Sequence, residues 1–132
     1  MSTGPKIGLL RDALVILSLA PTEQQRLNGP GCLTCDMFED YQSAWRAVQH
    51  DSTTQFTLEQ SRALQEISQA LDALTKDDCE CSSPQAVCRP AWQAIRERAA
   101  VVLSLFGWQD CTVRPFGETA PGVWTRPRDS DT

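Results

Sequence analysis

The chain has one histidine, one tyrosine and no run of 18 or more apolar residues in its 132 positions. Without such a run no helix can span a bilayer, because a span needs about 20 apolar residues. With one histidine a histidine-rich metal centre is excluded. His50 follows a helix end beside Asp51, where an imidazole serves as a helix-terminal charge. Positive charge is scarce too: 12 Lys and Arg face 17 Asp and Glu, for a net charge of −5. That removes general nucleic-acid binding, which needs a basic face to displace counterions. The chain also lacks a phosphate loop, a GxGxxG turn, a nucleophile elbow, an HExxH pair and the glycine of an EF-hand. No catalytic constellation and no cofactor site emerge, so the chain reads as a non-enzyme. No segment reads convincingly as a strand.

What is present is helical periodicity. Ile7, Leu10, Leu14 and Leu17 follow 3-4-3 spacing, and Leu9, Ala13, Ile16 and Ala20 form a second stripe beside them. A helix apolar on so much of its surface belongs near the centre of a bundle. The run Ala13 to Ala20 is read as part of this core helix rather than as an export signal, which makes the cytoplasm the expected compartment. Pro21 interrupts the helix, and Thr22 with Gln25 fits a capping box for a short second one reaching about Leu27. Asn28-Gly29-Pro30-Gly31 breaks the chain.

A helix from about Leu33 to Val48 follows, with Met37, Tyr41, Ala44 and Val48 on one face. After a polar loop over Asp51 to Gln55, Thr57 and Gln60 suit a capping box for a helix carrying Leu64, Ile67, Leu71 and Leu74. Ser83-Pro84 suits one short helical turn. Arg89-Pro90 opens the last long helix, because proline is tolerated at the first helical position. Trp92, Ile95, Ala99, Val102 and Phe106 repeat along it, and Gly107 suits its C-terminal cap. The fold expected is all-α, an antiparallel four-helix bundle over 1–107 with an extended C-terminal tail, 108–132, packed on the same domain. Trp108, Val113, Phe116 and Trp124 are the residues expected to pin the tail, whose last six residues should be mobile.

Charge is uneven. Residues 36–80 carry ten acidic and three basic side chains, whereas the segments on either side each carry a net charge of +1. Asp36, Glu39 and Asp40 begin one helix, and Asp77, Asp78 and Glu80 lie in a later loop. These six carboxylates read either as a solvated surface or as a docking face for a basic protein.

Six cysteines are the most unusual feature. Cys32-x-x-Cys35 has the spacing of half a zinc site, and Cys79-x-Cys81 or Cys88 would supply the other half. The same CxxC at a helix start also resembles a redox pair, although the usual βαβ setting is absent. The plainest reading is free cysteines acting as small apolar residues, which suits Cys88 and Cys111 best. Cys79 and Cys81, in an acidic loop, suit it less well.

Two segments, Leu58-Glu59-Gln60-Ser61-Arg62-Ala63-Leu64-Gln65-Glu66-Ile67 and Pro90-Ala91-Trp92-Gln93-Ala94-Ile95-Arg96-Glu97-Arg98-Ala99, resemble the last two helices of small bacterial immunity-type proteins. Members of that group neutralise toxins delivered between bacteria by binding them. The resemblance implies a non-catalytic protein that neutralises its toxin by binding it. The charge pattern, not the resemblance, makes Asp36, Glu39, Asp40, Asp77, Asp78 and Glu80 the acidic face suited to occluding a basic toxin domain. The alternatives are a zinc or redox-sensing helical protein using Cys32, Cys35, Cys79 and Cys81, and a helical adaptor or secretion chaperone. A small helical enzyme has no named catalytic group to support it.

Overall fold

The chain folds around α1 (Pro5–Ser18), whose residues Ile7, Leu10, Ala13, Leu14, Val15, Ile16 and Leu17 are all buried. The structure is a computed structural model that describes residues 5–51 and 54–126. Burial on so many faces explains why this helix shows no clean polar side, and it packs against both α3 (Leu33–Gln49) and α5 (Pro90–Phe106). The shorter α4 (Leu58–Asp72) packs against α5 and α3. One core results. Tyr41 and Trp92 are its largest fully buried side chains, and the Tyr41 hydroxyl donates to the Leu64 carbonyl at 2.8 Å. Among the described residues no helix is long and apolar enough to cross a membrane.

Local sequence rules account for most helix ends. At the start of α4 the Thr57 side chain accepts from the Gln60 amide, and Gln60 reaches back to the Thr57 N–H, each at 3.0 Å. This reciprocal pair satisfies two otherwise unpaired donors. Proline at the first turn opens α5, and Gly107 closes it in the left-handed conformation at φ 72°. The expected capping box of the short α2 (Pro21–Leu27) does not form. Pro21 takes the first turn and Ala20 the cap position, with no side-chain cap bond. Gln24 is buried instead and donates to the carbonyls of Ile16 and Leu17, tying α2 to the end of α1.

The all-α expectation needs one amendment. Gly117–Ala120 and Val123–Thr125 form an antiparallel two-stranded hairpin, β1 and β2, so the fold is mostly helical with a small sheet. Pro121 and Gly122 make its turn. Proline presets one backbone angle and Gly122 takes a positive φ of 76°, a combination that favours a tight turn. Every residue of the two strands is exposed, so burial left no alternating pattern to read. Trp108 stacks on Phe106 with ring centroids 4.4 Å apart. Val113 packs against the core, and Arg126 lies over the Phe116 ring. Trp124, also expected to pin the tail, is exposed on β2. The expected mobility of the last six residues lies outside the described residues.

Candidate metal centre

The breaker before α3 sets the first half of the site. Gly31 adopts φ 138°, and a Cβ there would lie 3.0 Å from the Asp36 carboxylate. Only glycine suits both demands. Asn28 donates to that carboxylate at 3.1 Å. Cys32 is the cap residue of α3 and its carbonyl accepts the Asp36 amide, so the helix begins at Leu33. Cys35 then sits three residues on, and residues at i and i+3 share one side of a helix.

The second half is the segment between α4 and α5, built on two single 3-10 turns, Asp77–Cys79 and Ala86–Cys88. It is fastened from inside at several points. Asp78 accepts the Thr75 amide at 2.9 Å and Arg89 Nε at 2.6 Å. Its own carbonyl accepts Trp92 Nε1 at 2.7 Å. Arg96, only 7% exposed, donates to the carbonyls of Leu19 and Val87 and to the side chains of Gln24 and Gln93. Gln25 of α2 donates to the Pro84 carbonyl. A loop held this way presents Cys81 at a fixed place.

Cys32, Cys35 and Cys81 converge, with their three sulfurs all within 4.8 Å of one another. The Cys35 and Cys81 sulfurs are 3.2 Å apart. Tetrahedral zinc with Zn–S bonds of about 2.3 Å separates its sulfurs by roughly 3.8 Å, so small shifts of these side chains would meet it. Cys79 stands just outside the trio, half-buried against the core, yet close enough to interact electrostatically with Cys32 and Cys81. Cys32 and Cys81 also line a cleft of about 260 Å³ with Gln25, Glu80 and Ser83.

The sulfurs differ in character. Burial opposes ionisation of Cys32, but hydrogen bonds from Cys81, Thr34 and Cys35 together outweigh it and bring the thiol down to about 7. The Thr34 hydroxyl is 3.3 Å from that sulfur. Cys81, bonded to Cys32 and Cys35, is pushed up to about 12. Cys35 is also raised: its bond to Cys81 favours the thiolate, but Cys32 and burial outweigh it. Burial, then the Asp78 charge, raises Cys79. Without a cation the trio favours a thiolate at Cys32 over one at Cys35 or Cys81, and a divalent ion would let all its sulfurs ionise.

Of the six carboxylates singled out by the sequence, Glu39, Asp40, Asp77 and Glu80 are exposed and Asp36 is half-buried. Although Asp40 is exposed as a residue, its carboxyl lines a cleft beside Leu9 and Ile16, and partial desolvation there, then repulsion by Asp36, raises it above its ordinary value. Asp78 is turned inward, 6% exposed, and its carboxyl is lowered by the Thr75 amide and then by Arg89. The pattern Thr75-x-x-Asp78, each side chain bonding the other's amide, was the readable signal of that inward role. Cys111 does pack against the core, whereas Cys88 is exposed and does not serve as a buried apolar residue. Arg96, the buried hub behind the loop, had no signature in the sequence. No family model, no curated protein and no solved structure matches the chain.

Proposed function

We propose that the chain is a zinc-binding helical protein in which a thiolate site staples the segment 77–88 to the start of α3. The observation that carries this is the convergence of three sulfurs, from segments 46 residues apart, within 4.8 Å. Free cysteines filling apolar space have no reason to gather at a surface where Cys35 and Cys81 are exposed. Cys79, near enough to interact electrostatically with Cys32 and Cys81, is the fourth ligand on this reading. The scaffold is an antiparallel four-helix bundle of α1, α3, α4 and α5, and the metal is structural. A reducing compartment such as the cytoplasm suits it, since the thiols stay available there.

Native mass spectrometry with metal analysis of protein purified under reducing conditions tests the reading. One zinc per chain is expected, lost in Cys32→Ser, Cys35→Ser and Cys81→Ser and retained in Cys111→Ser. A folded, fully reduced protein that takes up no zinc would sink it.

A second reading, a non-catalytic immunity protein that occludes a basic toxin domain, draws on a separate observation. Asp36 adjoins Cys35 and Glu80 adjoins Cys81, whose sulfurs touch. The start of α3 and the loop meet at those sulfurs, so the acidic residues that each carries lie toward the same end of the molecule. Reversing charge at Glu39 and Asp40 should weaken binding to a toxin domain encoded beside this chain by at least about tenfold, with the helical signal unchanged. Unaltered affinity would remove that helix from the interface.

A further inference from the structure

Resting on the zinc reading, we infer that the pair Cys35 and Cys81 is a site of oxidation by hydroperoxides, at which a disulfide replaces the metal. The two sulfurs are already 3.2 Å apart, and a bond requires them to close to about 2.05 Å. Both residues are exposed, so a small oxidant reaches them. Cys32 is less open, and its sulfur is engaged with the buried Thr34. The cross-link therefore joins α3 to the loop rather than closing the Cys32-x-x-Cys35 turn on itself.

The chemistry balances with one peroxide. Zinc holds both sulfurs as thiolates, the nucleophilic form. One thiolate attacks the peroxide, breaks the O–O bond and leaves as sulfenic acid, while the other oxygen departs as alcohol or water after taking a proton. The second thiolate attacks the sulfenic sulfur and expels hydroxide, which a proton converts to water. Two sulfurs lose one electron each and the peroxide gains both. Zinc, left with Cys32 and Cys79, has lost half its ligands and dissociates. The segment 77–88 stays attached, because the disulfide joins the same two segments that the metal joined. Oxidation thus releases the ion while sparing the fold.

The test treats zinc-loaded, full-length protein with hydrogen peroxide, follows free zinc with a chromogenic chelator, and maps the cross-link by peptide mass spectrometry. The expected result is about one zinc released per Cys35–Cys81 disulfide, reversed by reductant and zinc. The oxidised protein should melt within a few degrees of the zinc form, whereas reduced protein stripped by chelator should melt well below both. A cross-link between Cys32 and Cys35, sulfinic acid without a cross-link, or peroxide without effect on zinc would each overturn the inference. The initial zinc content separates the two ideas. Protein that binds no zinc removes the metal reading itself, whereas zinc that survives peroxide removes only the oxidation site.

Discussion

At one end of α3, α4 and α5 the core is closed by aromatic rings; at the other it is closed by thiols, carboxylates and two arginines. Trp45, Phe56, Phe106 and Trp108 form a chain of ring contacts, with centroids 6.2, 5.6 and 4.4 Å apart. These residues come from the C-terminal ends of α3 and α5 and the approach to α4. The opposite end takes the start of α3, the exit of α4 and the start of α5. There Asp78, Arg89 and Arg96 tie loop carbonyls and amides together. The rings need only exclude water, and many side-chain arrangements do that. The polar end works only if each donor finds its particular acceptor, because a buried unpaired group costs about 1–3 kcal/mol. Exacting geometry of that kind is what a metal site needs from its surroundings.

If the comparison is right, mutations behind the thiols should cost more than mutations among the rings, and should cost metal as well. Trp92→Ala has the largest expected effect. It removes a fully buried ring and the bond to the Asp78 carbonyl, so about 4 kcal/mol of stability should go. Denaturant unfolding measures the loss, and zinc affinity should fall with it. Arg96→Ala comes next, at about 3 kcal/mol, because the carbonyls of Leu19 and Val87 lose their donor. Unchanged zinc affinity in a folded Arg96→Ala protein would break the link between the polar hub and the site.

The helical core was legible in sequence and the thiol end was not, for a physical reason. Periodicity reports which face of a helix is buried, so Leu64, Ile67, Leu71, Trp92, Ile95 and Ala99 could be placed from spacing alone. Caps follow local chemistry, and so the Thr57–Gln60 box and the Gly107 terminus were readable. The position of Cys81 depends instead on a loop held by Asp78, Arg89, Trp92 and Arg96, whose partners lie as far away as Leu19. No local rule encodes a bond over 77 residues. The four cysteines could be nominated from their spacing, but nothing in the sequence showed that Cys32, Cys35 and Cys81 meet while Cys79 stands aside. The hairpin escaped because its side chains are exposed on both faces, leaving only Pro121-Gly122 as a sign.

Two glycines sharpen the contrast further down the scale. Gly31→Ala, at the thiol end, forces a side chain into φ 138° and against Asp36. A loss of about 2 kcal/mol is expected, with weaker zinc binding as the cap of α3 shifts. Gly107→Ala, at the ring end, meets nothing within 4 Å and bears only the left-handed backbone at φ 72°, a cost of about 1 kcal/mol. Asparagine tolerates that conformation better than alanine, so Gly107→Asn should recover much of the loss. Zinc affinity should be untouched in both Gly107 variants, because the trio lies at the other end of the helices. Thermal melts with parallel zinc titrations decide it. Equal effects on metal binding from Gly31→Ala and Gly107→Ala would mean that the two ends are coupled through the core, and the division drawn between them would fall.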